Sequence, residues 1–159
     1  MQEIVFNFHV GNCEDYEKIK NEKGWFFVAA CKEPYHRQAL GYKTKGAPKD
    51  NPEYLYCIRD NMLILNLIDA DNPKWISDVV IDVALDVIEE SLATGKKVLV
   101  FCNQGKSRSA TIAMLMLREL DLINEDFEQA EIEFRDMYPN YEPNNGMREF
   151  AKKKWSEWA

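Results

Sequence analysis

No apolar run in this chain approaches the roughly 20 residues needed to cross a bilayer, so a membrane-spanning protein is not expected. The opening stretch Met1-Gln2-Glu3-Ile4-Val5 lacks a basic region followed by an apolar one. No signal peptide is therefore expected, and the expected location is cytoplasmic. The four cysteines, Cys13, Cys31, Cys57 and Cys102, form no CxxC pair. That disfavours a zinc site, and in a chain without an export signal they are expected to be mostly free thiols. Basic residues are in deficit, 20 Lys and Arg against 27 Asp and Glu, for a formal net charge of −7. A general nucleic-acid binder or a binder of anionic membranes needs a basic face, so neither nucleic acid nor membrane is expected as a partner. Lys152-Lys153-Lys154 is too short a run to alter that reading; it amounts to one solvated helical turn. Internal repeats and low-complexity segments are also lacking.

What is present is ordinary globular composition. The chain has 159 residues, 46% hydrophobic and 30% charged, enough for one domain (1–159) with a single core. Apolar segments at 4–10, 25–30, 62–67 and 97–102 read as strands. The last two are nearly all apolar, as central strands covered on both faces must be. Helical patterns fall between and after them. Pro73-Lys74-Trp75 opens one, with Ile76, Val80, Val83, Val87 and Ile88 on a stripe and Gly95 at its end. The segment 110–120 is apolar nearly all round and must be buried. Asn124-Glu125-Asp126 caps a third helix whose Phe127, Ala130, Ile132, Phe134 and Met137 are expected to point inward, and a last helix is expected over 145–155. Residues 33–60 read as a loop-rich excursion with a helical turn near 35–40. Strands alternating with helices imply an α/β fold: a small, mostly parallel central sheet flanked by helices.

The run Val98-Leu99-Val100-Phe101-Cys102-Asn103-Gln104-Gly105-Lys106-Ser107-Arg108-Ser109 carries the chemistry. It reads as a buried strand, a cysteine, a short loop and a helix start. Ligands in parallel α/β sheets bind beyond strand C-termini, and Cys102 lies at such an end. Loop N–H groups can curl around an anion, the helix points its positive end at the same place, and Arg108 adds a guanidinium fork. Those same groups favour a thiolate. A buried core cysteine would need neither Gly105 nor Arg108. A nucleotide-binding P-loop ending in Gly105-Lys106-Ser107 would need its first glycine at Val100, so that alternative fails.

The stretch from Cys102 to Ser109 resembles the CxxGxSRS loop of the dual-specificity phosphatases, within the cysteine-dependent tyrosine phosphatase superfamily. Val10-Gly11-Asn12 is similar to that family's turn after its first strand, and Phe27-Val28-Ala29-Ala30 to its second strand. The segment 63–71 resembles its acid-bearing strand and loop, and Pro143-Asn144-Asn145-Gly146-Met147 its late segment. The resemblance implies hydrolysis of phosphate monoesters in two steps, with no cofactor and no metal. Cys102 would attack phosphorus. The loop from Asn103 through Gln104, Gly105, Lys106 and Ser107 to Arg108 would bind the phosphate, and Ser109 would stabilise the departing thiolate. The implied partner is a phosphorylated protein or peptide, with a small phosphorylated molecule as the lesser reading.

The leaving oxygen needs a proton, and two aspartates compete to supply it, Asp69 and Asp71. Aligning the following helix with the family's favours Asp71, although Asp71-Asn72-Pro73 also suits a helix cap. One departure stands out: the family's histidine before the cysteine is Phe101 here. Phenylalanine cannot donate a hydrogen bond, so lower activity or a more alkaline optimum is expected. Two other readings stay open: a phosphatase of a non-protein substrate such as an inositol phosphate or an RNA 5′ end, and a phosphate-binding module without turnover. Lys106 could add attraction for substrates with several phosphates or be a solvated lysine. Cys31 and Cys57 read as core thiols, and His9 and His36 as structural.

Overall fold

The inner strands form where β-rich apolar runs can be covered on both faces. In the computed structural model, which describes residues 1–158, they are β2 (Phe8–Asn12), β3 (Trp25–Ala29), β5 (Met62–Leu65) and β6 (Lys97–Cys102). Strands β1 (Gln2–Val5) and β4 (Tyr56–Arg59) flank them in the order β1-β2-β6-β3-β5-β4. The four inner strands run parallel to one another, and each edge strand runs antiparallel to its neighbour. The mostly parallel α/β sheet expected from the sequence is therefore the fold.

Two strand expectations need correction. The segment 4–10 is not one strand. It turns back at Phe6-Asn7, where Asn7 adopts φ 68°, a left-handed conformation that asparagine tolerates. The stretch 33–60 hides β4, whose four residues alternate too briefly between buried Cys57 and exposed Ile58 to register as a period.

Successive residues of β6 point to opposite faces. Phe101 meets Tyr16 of α1 (Cys13–Ile19), while Cys102 meets Ser109 of α4. Helix α1, with the short turn over Lys32–His36 and α2 (Arg37–Leu40), covers the first face. On the other, α4 (Arg108–Glu119) is the central helix, buried from Ser109 through Leu117, and α3 (Asp78–Ala93), α5 (Phe127–Met137) and α6 (Asn145–Glu157) pack against it.

Pro73 opens only a single 3-10 turn capped by Asn72. The α3 helix begins later, at Ser77, whose hydroxyl accepts the Val80 N–H. In α5, Ile132 is 55% exposed rather than inward. The buried stripe is Phe127, Ala130, Glu131 and Phe134, spaced as one helix face requires, and a carboxylate takes the inward position next to Ile132. Glu131 is tolerated because Arg148 holds it with a forked pair at 2.8 to 3.2 Å and Tyr141 donates its phenol at 2.8 Å.

The excursion over 41–55 is pinned from its base. Arg37 donates to the carbonyls of Tyr42, Thr44 and Lys45. Buried His36 lies 3.0 Å from the Tyr42 hydroxyl and 2.9 Å from the Glu53 carbonyl, and burial holds its pKa below the ordinary value. Neutral His36 meets both: one ring nitrogen donates to the carbonyl and the other accepts the hydroxyl. Among the described residues, no helix is long and apolar enough to cross a membrane.

Candidate active site

The loop between β6 and α4 is shaped by what it does with its carbonyls. The Gln104 carbonyl accepts from Asn140, the Gly105 carbonyl accepts the Tyr138 phenol at 2.7 Å, and the Lys106 carbonyl accepts the Glu142 N–H at 2.8 Å. With these carbonyls committed outward to the segment 138–142, the peptide N–H groups turn the other way. The N–H groups from Asn103 through Ser107 find no acceptor among the described residues. Consecutive unpaired N–H groups around a concavity make an anion cup.

Gly105 permits the turn. Its φ is +73°, and a Cβ there would lie 2.7 Å from the Tyr138 hydroxyl and 2.9 Å from the Gly11 carbonyl. Any side chain would thus be strained in backbone and in space.

Cys102 sits at the floor, 2% exposed. Its sulfur lies 3.1 Å from the Ser109 hydroxyl and 3.5 Å from the Ser109 N–H, so the first turn of α4 is aimed at it. The same hydroxyl lies 3.2 Å from the Gly11 carbonyl. One hydroxyl proton thus has two acceptors within reach, and it can turn to the sulfur when the sulfur carries charge.

Arg108 closes the rim. One terminal nitrogen donates to the Leu67 carbonyl at 3.0 Å and the other to the Asn103 side-chain oxygen at 2.7 Å. Asn103 in turn donates to the Glu33 carbonyl at 3.0 Å. The guanidinium is therefore held from two sides, while its buried Nε has no partner among the described residues. That leaves a fork with fixed direction and an N–H to spend on a ligand.

The two aspartates separate. Asp69 accepts the Ser107 hydroxyl at 2.7 Å, and Ser107 accepts the Asn144 N–H at 2.8 Å. The carboxylate of Asp71 is exposed and has no hydrogen-bond partner among the described residues; only its backbone carbonyl is engaged, by Asn145 at 3.1 Å. Asn144 also donates to the Asp69 carbonyl at 2.9 Å, and Gly146 lies so close to the Ala70 carbonyl that a Cβ would overlap it. The segment 144–146 therefore clamps the loop 69–71 against the cup. This clamp is absent from the sequence reading, where Pro143 to Met147 stands only as a resemblance.

Lys106 points outward, half-exposed, 4.0 Å from Glu142. Phe101 is fully buried and stacks on Tyr16 at 4.6 Å with planes 7° apart, while Tyr35 meets its edge. Cys31 is buried, and burial pushes its thiol up well beyond the ordinary range against the pull of Arg108. Cys57 lies on β4, three strand spacings of about 4.8 Å from β6, too far for a bond to Cys102.

No family model matches the sequence, and no curated protein matches it. Solved structures do match. Human DUSP28 superposes with a TM-score of 0.67 at 15% identity, covering 99% of this chain and 96% of that one. The human tyrosine phosphatase-like serine/threonine/tyrosine-interacting protein gives 0.66 at 20% identity, covering 99% and 97%. DUSP15 gives 0.69 at 16% identity, covering 100% and 88%. The fold is the one seen in these dual-specificity phosphatase structures.

Proposed function

We propose that this chain hydrolyses phosphate monoesters through a cysteinyl-phosphate, with a phosphorylated protein or peptide as substrate. The observation that carries the reading is the cup itself. The N–H groups from Asn103 through Ser107 and the Arg108 Nε are unpaired, and the loop that bears them runs from Cys102, whose sulfur meets the first turn of α4, to Arg108. This set of donors suits a tetrahedral oxyanion and would grip it harder as charge spreads in the transition state.

In the first step the Cys102 thiolate attacks phosphorus; the S–P bond forms and the bond to the leaving oxygen breaks. The leaving oxygen takes a proton from Asp71, whose carboxyl has no competing partner, whereas Asp69 is committed to Ser107. In the second step water attacks phosphorus and gives its proton to Asp71. The S–P bond breaks, and the returning thiolate accepts the Ser109 hydroxyl.

Phe101 favours one other reading, a module that binds phosphate without turnover, because it removes a hydrogen-bond donor next to the nucleophile. Para-nitrophenyl phosphate separates the two. Turnover by the wild type that vanishes in Cys102→Ser is expected. Phosphate binding with no turnover in either protein would favour the module.

A further inference from the structure

We propose that a groove beside the cup binds an acidic side chain of the substrate peptide and so sets its sequence preference. The groove, about 340 Å³, lies between the acid-bearing segment 66–77 and the excursion pinned by Arg37, with Lys32, Tyr54, Asn66, Ile68, Lys74 and Trp75 on its walls. This rests on the phosphatase reading above and names the class of substrate.

Position comes first. The Leu67 carbonyl accepts the Lys32 N–H at 3.0 Å and also the Arg108 guanidinium at 3.0 Å. The groove wall and the phosphate fork therefore share one acceptor. Along the extended run 66–69, Asn66 and Ile68 line the groove, Leu67 enters the core and Asp69 turns to the cup. A peptide with its phosphate in the cup has this edge within reach of its neighbouring residues.

Charge comes second. The molecule carries an excess of seven acidic residues, yet the groove lining contains two lysines and no carboxylate. Neither Lys32 nor Lys74 forms an ion pair among the described residues. Lys32 donates to the Lys45 carbonyl at 2.8 Å, which fixes its ammonium and leaves two of its three N–H groups for a ligand.

Shape comes third. Trp75 is 68% exposed and Ile68 44%, and both line this groove. A glutamate side chain has an apolar stem to lay against them and a carboxylate to bring to the lysines. A compact small polyphosphate would gain nothing from Trp75 and Ile68, which is why a peptide is favoured here.

The test compares phosphotyrosine peptides that differ only by Glu or Gln at one position, scanned through three residues on each side of the phosphotyrosine. The readout is kcat/KM, with para-nitrophenyl phosphate as the reference substrate and inositol 1,4-bisphosphate as a small-molecule arm. At least one Glu peptide should exceed its Gln partner by about fivefold at low salt, with the advantage shrinking as salt rises. Lys74→Glu and Lys32→Met should each abolish the advantage and leave para-nitrophenyl phosphate turnover unchanged. Using both guards against Lys32→Met loosening the excursion. Equal rates for every Glu and Gln pair, or an advantage that survives both substitutions, would overturn the proposal. So would a lysine effect confined to the bisphosphate. Fluorescence anisotropy of the same labelled peptides on the wild-type protein runs in parallel. If para-nitrophenyl phosphate is not hydrolysed, the catalytic reading fails. The groove is then judged on affinity alone: a Glu preference lost in Lys74→Glu sustains it, and no preference overturns it.

Discussion

Phe101, the residue next to Cys102, lies face to face with Tyr16, 4.6 Å between ring centres. The position that precedes the cysteine is thereby given to packing. Tyr16 also meets Phe27 edge-on, and Tyr35 meets Phe101 edge-on, so the back of β6 is an aromatic cluster. Phe101→His would return a hydrogen-bond donor to the residue beside Cys102. Its pH optimum with para-nitrophenyl phosphate should move to lower pH. The cost, read by thermal unfolding, should be about 2 kcal/mol, because an imidazole would enter a site built for apolar rings.

The two aspartates differ in what they touch, so they should fail differently. Asp71→Asn should slow phenyl phosphate hydrolysis by about 10²-fold or more, and slow para-nitrophenyl phosphate far less, since that leaving group needs little help from an acid. Asp69→Ala should act through Ser107, raising KM and lowering the melting temperature, with no dependence on the leaving group. Steady-state rates across a series of aryl phosphates distinguish the two patterns.

Asn103 bridges the Arg108 guanidinium and the Glu33 carbonyl. Asn103→Ala should free one side of the fork and weaken competitive inhibition by inorganic phosphate by about tenfold, the loss of one well-made charged hydrogen bond. Asn103→Asp should weaken it as well, for the opposite reason: a carboxylate would hold the fork against the ligand. A melting temperature unchanged or raised in Asn103→Asp, with phosphate inhibition still weakened, marks a positioning role.

Glu131 supplies a prediction about pH. Burial pushes its carboxyl up, but the Arg148 and Tyr141 hydrogen bonds outweigh that and hold it below the ordinary carboxylate value of 4.5. The ionised form is thus favoured by folding. Its contribution is complete at neutral pH, declines as pH falls below the ordinary value, and is lost once pH passes below the group's own lowered value. Glu131→Gln should cost about 2 kcal/mol at neutral pH, and the gap to wild type should narrow on acidification when urea melts are compared.

Strand β6, the loop after it and α4 are legible in the sequence because each has a strong local signature. A strand apolar from Val98 onward ends in Cys102, a glycine stands where φ must be positive, and α4 is buried from Ser109 through Leu117. The edge strands are less so, because they are short and half-exposed. Tyr56–Arg59 carries its pairing partner, not its own pattern, and Phe6-Asn7 is a turn inside what reads as one apolar run. Ile132 is exposed because its neighbour Glu131 is held inside by Arg148, a partner 17 residues away that no local hydrophobic period reveals. The ambiguity between Asp69 and Asp71 has the same origin: the Ser107 hydroxyl that engages one of them lies 38 residues further along the chain. His36 and Arg37 anchor the excursion through side-chain bonds to carbonyls, and these leave no mark on composition.

The grip of residues 144–146 on the loop 69–71 bears on timing as well as geometry. Two asparagine side chains and a glycine without a Cβ fasten that segment to the start of α6, which itself packs on α4. In the proposed mechanism the Asp71 carboxyl, mounted on so fixed a base, is already in station when the substrate arrives. The pace of the cycle then falls to bond making and breaking, and thickening the solvent with sucrose should leave kcat where it was.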